Sequence, residues 1–108
     1  PLPKPKRQNI MGRNWVLSMN CPNGQVSGNA RLSYKRITSY GEEYSVSYSN
    51  NLGGTYTGVA YATSTGFQFS LRQTNGNSYS YGTGRFSNDK RLVNGKTEAG
   101  CAFVAAAR

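Results

Sequence analysis

The sequence predicts an all-β fold, an antiparallel meander of seven or eight short strands forming a closed or nearly closed small barrel, with a β-sandwich as the alternative. Three observations carry this expectation. Apolar and polar residues alternate with a period of two through most of the chain. Clusters of Gly and Asn recur at intervals of about ten to twelve residues, the punctuation of an all-β chain. No window of about ten residues shows the apolar stripe of a helix. The 108 residues fit a single domain, expected over 10–108 and preceded by an arm over 1–9.

The arm, PLPKPKRQN, carries three prolines together with Lys4, Lys6 and Arg7. Proline fixes φ and pushes the preceding residue towards extended geometry, so the arm is expected to be a flexible, basic, polyproline-II-like segment. Strands follow. Arg13 to Met19 places Trp15 and Leu17 on one face, and the Asn23-Gly24 pair then suits a tight hairpin turn. Gln25 to Ile37 alternates Ala30, Leu32 and Tyr34 with Arg31, Ser33 and Lys35, with a bulge expected near Gly28.

Tyr44, Val46 and Tyr48 alternate with serines and lead into the turn SNNLGG. Thr55 to Ala62 comes next, with Val59 and Tyr61 as its apolar side. Phe67, Phe69 and Leu71 alternate with Gln68, Ser70 and Arg72, and the turn TNGNS leads into Tyr79 to Phe86. Asn94-Gly95 is then expected to turn the chain from a short Arg91–Val93 piece into a last strand, Glu98 to about Ala106.

Cys21 lies at the end of the first strand and Cys101 in the last. Their spacing excludes a CxxC pair, and the chain has no histidine to complete a zinc site. The remaining choices are a disulfide, which is expected, or two buried thiols; a bridge requires neighbouring Cα atoms and so brings the first and last strands together as in a closed barrel. A small, loop-rich, polar chain with one bridge suits a secreted or periplasmic compartment. The chain opens at Pro1, as expected of a mature form, and the absence of an Asn-x-Ser/Thr sequon among its eleven asparagines favours a bacterial origin. No apolar run reaches the roughly 18–20 residues of a membrane helix, so no transmembrane segment is expected.

Chemistry is constrained by what is missing. Without histidine no Ser-His-Asp or Cys-His nucleophile can form. Glu42 and Glu43 are adjacent and point to opposite faces of a strand, which disqualifies them as a glycosidase pair. All four acids read as solvated turn charges, so no enzyme activity, metal or cofactor is expected. Thirteen Lys and Arg against four Asp and Glu give a net charge of +9, a field that attracts polyanions.

The candidate ligand-binding residues are Arg31, Lys35, Arg36, Arg72, Arg85, Lys90 and Arg91, with Tyr79 and Tyr81 to stack on bases or sugars. The expected function is a binding module for an anionic polymer, a cell-surface polysaccharide or a nucleic acid. The alternative is an inhibitor or effector that docks on one protein partner through its loops, with Leu52 as anchor. A ligand inside the barrel ranks third, because a small barrel is expected to be filled by its own side chains. The protein is expected as a monomer or weak dimer.

Two short resemblances were tested. YGTGRF (81–86) is similar to the glycine–aromatic strand of RNA-recognition and cold-shock domains but lacks its leading basic residue. GRNW (12–15) is similar to the Gly-x-Trp start of lipocalin- and avidin-like barrels, with two residues instead of one before Trp15. The meander resembles a calycin barrel in general shape, and neither motif places the chain in a family.

Overall fold

Alternation along each segment becomes eight strands in chain order: β1 (Asn14–Cys21), β2 (Gly24–Thr38), β3 (Gly41–Asn50), β4 (Thr55–Ala62), β5 (Gly66–Gln73), β6 (Tyr79–Phe86), β7 (Leu92–Thr97) and β8 (Ala102–Ala107). The computed structural model describes Met11 and residues 14–108; the 1–9 arm expected from the sequence lies outside the described residues. Each strand pairs antiparallel with the next, and β8 returns to β1 from Trp15↔Ala107 to Asn20↔Ala102. The ring closes without an edge, so the barrel holds and the sandwich does not. Among the described residues no helix is long and apolar enough to cross a membrane.

Cys21 and Cys101 are bridged, joining the end of β1 to the residue before β8. The bridge is consistent with an oxidising compartment outside the cytoplasm.

Hairpin geometry divides the barrel into two ends. The β1–β2, β3–β4, β5–β6 and β7–β8 connections gather at one end, the mouth. The β2–β3, β4–β5 and β6–β7 connections gather at the other with Met11. This second end is filled. Trp15, Tyr44, Val93 and Phe103 are fully buried there and in the middle layer. Tyr34 meets Tyr44 edge-on at 5.6 Å, and Phe69 meets Phe103 at 5.2 Å. Phe67 packs between Phe69 and Phe86, at 5.9 and 6.2 Å. Each buried phenylalanine ring, Phe69 and Phe103, contributes about 1.5–3 kcal/mol. Met11 closes the floor, its backbone N–H donating to the Tyr44 hydroxyl, which donates in turn to Glu42 Oε1 at 2.6 Å.

Four details differ from the sequence expectations, each for a packing reason. The irregularity in β2 falls between Tyr34 and Arg36, not at Gly28. Gly28 stays in register opposite Asn50, because a Cβ there would collide with the Ser49 carbonyl. Asn94-Gly95 does not turn the chain. Gly95 sits inside β7, where a Cβ would strike the Thr83 carbonyl and the Phe103 ring, and the turn comes later with Gly100 at φ 90°. In β4 the inner face is Tyr56, Gly58, Ala60 and Ala62, while Val59 and Tyr61 face outward, half-buried.

Finally, Glu42 and Glu43 are buried (7% and 4% exposed) where solvated charges were expected. The tight turn at Gly41 starts β3 within the closed end. Glu42 is bound by Tyr44, and Glu43 is covered from outside by Arg36 at 3.3 Å.

Candidate functional site

Inward positions towards the mouth carry small or thin side chains. β2 contributes Val26 and Gly28, β4 contributes Gly58, and β6 contributes Ser80 and Gly82. Fewer rings fill this half than the closed one, and the interior opens into a cavity of about 520 Å³. That lies within the roughly 300–1,000 Å³ range of small-molecule sites.

The walls of the cavity combine three kinds of surface. Met19, Val26, Leu71 and the Cys21–Cys101 bridge are apolar. Tyr48 and Tyr56 contribute aromatic faces with hydroxyl tips, their rings 6.0 Å apart and tilted. Asn50, Ser78, Ser80, Thr97 and Glu98 add polar groups nearer the rim, where Tyr79 and Tyr81 also reach the opening.

Tyr48 has an unusual position. The residue is 3% exposed, and its hydroxyl has no hydrogen-bond partner among the described residues. Burial, reinforced by the neighbouring Tyr56 hydroxyl, pushes its pKa up to about 12. The phenol therefore stays protonated at physiological pH, a donor with no acceptor among the described residues. An unmet buried donor costs about 1–3 kcal/mol.

All nine residues expected to bind a ligand are exposed, but the ring separates them. Arg31, Lys35 and Arg36 lie on β2. Tyr79, Tyr81 and Arg85 lie on β6 and Arg72 on the adjacent β5, and β2 and β6 are opposite one another in a ring of eight. Lys90 and Arg91 belong to the β6–β7 loop at the closed end.

The two sides differ in availability. Arg36 is engaged with Glu43. On the other side, Arg72 stands over the Tyr79 ring, 5.7 Å from its centroid, and register puts Ser70 beside Tyr81 and Lys96 beside Thr83. Tyr79, Tyr81, Thr83 and Arg85 then form one outward column along β6.

The β6–β7 loop is shaped by Asp89, which accepts from Ser87 Oγ at 2.6 Å and from the Arg91 backbone N–H. These bonds hold its carboxyl below the ordinary aspartate range. Leu52, the expected protein-docking anchor, stands 72% exposed on the β3–β4 loop at the mouth. No group of three or more metal-ligating side chains occurs among the described residues.

The cavity residues were not singled out from sequence. The signal was present in the recurrence of Gly or Ser at inward positions of β2, β4 and β6. Only the hairpin register reveals that these positions share one end.

No protein-family model matches the chain, and no curated protein matches it. Solved structures do. The redesigned β-barrel mFAP1, bound to DFHBI, aligns with a TM-score of 0.60 over 92% of this chain and 95% of that one, at 17% identity. A second redesigned barrel, mFAP0, also bound to DFHBI, aligns with a TM-score of 0.54 over 90% and 96%, at 15% identity. The redesigned barrel b11L5F_LGL gives 0.59 over 89% and 88%, at 14% identity. At these identities the likeness concerns the small-barrel fold.

Proposed function

We propose that this protein is a non-enzymatic, secreted or periplasmic binding protein that holds a small, largely apolar ligand in the mouth of its barrel. The observation that carries the reading is the half-filled interior, a cavity of about 520 Å³ with an apolar wall to which Tyr48 and Tyr56 add aromatic surface. Barrels of similar fold are described bound to DFHBI, which accords with small-molecule binding by a barrel of this fold.

The test is a titration with Nile red, a neutral dye that brightens in apolar surroundings. Saturable one-site binding, little changed by salt, is expected. Ser80→Phe places a ring in the cavity from β6 and is expected to abolish the signal while the far-ultraviolet circular dichroism stays unchanged. Equal binding by this variant overturns the reading.

A second reading keeps the anionic polymer, a polysaccharide or nucleic acid, and confines it to the outer wall of β5–β7. Its support is the Arg72–Tyr79 stack and the β6 column of Tyr79, Tyr81 and Arg85 flanked by Lys96. Cations interleaved with rings suit a stacked, charged strand. Binding of single-stranded DNA or dextran sulfate through this face must weaken steeply between 50 and 200 mM salt, roughly in proportion to the number of contacted charges. Arg72→Ala must weaken it while leaving Nile red in place. Binding indifferent to salt removes this second reading.

A further inference from the structure

The chain carries thirteen basic residues, yet none of those described lines the cavity. Its one formally charged lining residue is Glu98, exposed on the β7–β8 turn at the rim, where its backbone N–H donates to the Tyr81 carbonyl. That bond ties the turn to the start of β6 and holds the carboxylate's backbone beside the two rim tyrosines. Below it stand the Tyr48 and Tyr56 rings. Two described cations approach the rim from outside: Lys96 shares a shallow outer hollow with Glu98 and Tyr81, and Arg72 leans over the Tyr79 ring from β5, but neither belongs to the cavity wall.

From this charge arrangement we infer that the cavity selects a cationic ligand, an aromatic or alkyl ammonium compound, over a neutral or anionic one of similar size. The inference rests on the small-molecule reading above and names the ligand's charge.

The physical grounds are separate contributions of the same sign. Tyrosine faces present the negative side of the ring quadrupole to a cation, and an acid at the rim adds direct attraction. An anion entering the cavity meets aromatic faces and Glu98, with no lining guanidinium or ammonium to pair with. Its desolvation is left uncompensated. The Tyr56 hydroxyl remains as a donor for an acceptor elsewhere on the ligand. The net charge of +9 opposes the approach of a cation, but beyond about 10 Å that repulsion is screened at ordinary ionic strength.

The experiment compares three dyes on the intact, oxidised protein: thioflavin T (cationic), Nile red (neutral) and 1-anilinonaphthalene-8-sulfonate (anionic). Thioflavin T is expected to bind at least fivefold more tightly than the sulfonate dye. Glu98→Gln, a substitution on an exposed turn, is expected to weaken thioflavin T about two- to fivefold, the range of an exposed ion pair, and to leave Nile red unchanged. Tyr56→Leu is expected to weaken thioflavin T more than Nile red. If the sulfonate dye binds as tightly as thioflavin T, or Glu98→Gln changes nothing, the charge selection is overturned and the cavity stands. If none of the three dyes binds, the cavity reading itself falls.

Discussion

At Tyr48 a ring that packs in the barrel wall carries a hydroxyl that the wall does not use. Removing that oxygen separates folding from ligand binding. Tyr48→Phe keeps the ring and deletes the unpaired donor, so the free protein is expected to gain about 1 kcal/mol in urea unfolding. Nile red affinity is expected to stay unchanged, since the buried oxygen does not face the cavity. The same residue gives a pH signature. Its folded pKa of about 12 lies above the unfolded value near 10, so the folded state keeps the proton longer. Stability is therefore full below pH 10 and declines as pH rises towards 12. In Tyr48→Phe this part of the alkaline decline is expected to disappear. A variant with the same alkaline slope as the parent contradicts the burial argument. The buried Glu42 and Glu43 show how residue-scale reading of the sequence went astray. Adjacent acids beside a glycine turn look solvated, and only the barrel reveals Tyr44 and Arg36 as their partners.

Strands were legible because their physics is local. Alternation located β4 and β6 at their observed limits, and positive-φ glycine marked the β1–β2 turn at Gly24. Failures came where a glycine served packing across the barrel. Asn94-Gly95 has turn chemistry, but Gly95 is a strand residue because the Phe103 ring and the Thr83 carbonyl occupy the space of a Cβ. β4 misled in another way, since its small residues point inward and its larger Val59 outward. A barrel this small has room for Ala60 and Ala62 where strand and ring come close, and size alone does not reveal the face. Gly58 tests the point. A Cβ there would run into the Ser70 carbonyl across the β4–β5 ladder, and backbone cannot rotate away as a side chain can. Gly58→Ala is expected to cost about 1–3 kcal/mol, the range for overpacking a filled site, measured by thermal or urea unfolding. A neutral result would mean that the two strands separate there at little cost.

On the scale of the whole molecule, charge and closure both depend on the ring. Sequence gave a total of +9 but no geometry, and the ring distributes much of that charge over opposite outer walls while leaving an acid at the mouth. The candidate basic residues were legible as exposed. Their separation was not, because it depends on counting strands around a closed circuit. Closure itself was inferred correctly from two cysteines, and it leads to a further expectation. The β1–β8 seam unites the most distant parts of the chain, and the bridge, with a sequence separation of 80, fastens it at the mouth. Closing a loop of that length removes about 4–5 kcal/mol of unfolded-state entropy. Replacing both cysteines by serine is therefore expected to lower stability by up to this amount. The effect should also be local. Near the missing bridge the seam pairs Met19 with Phe103 and Asn20 with Ala102, whereas Trp15 and Ala107 pair at the filled end. Without the bridge, amide hydrogen exchange is expected to accelerate first in the mouth-side pairs, while Trp15 keeps the protection of the global fold. Nile red affinity is expected to fall by more than the unfolded fraction explains, because the fraying seam is a wall of the cavity. If exchange rises evenly along β1 and β8, the bridge acts on the unfolded chain alone and the mouth is held by its strands.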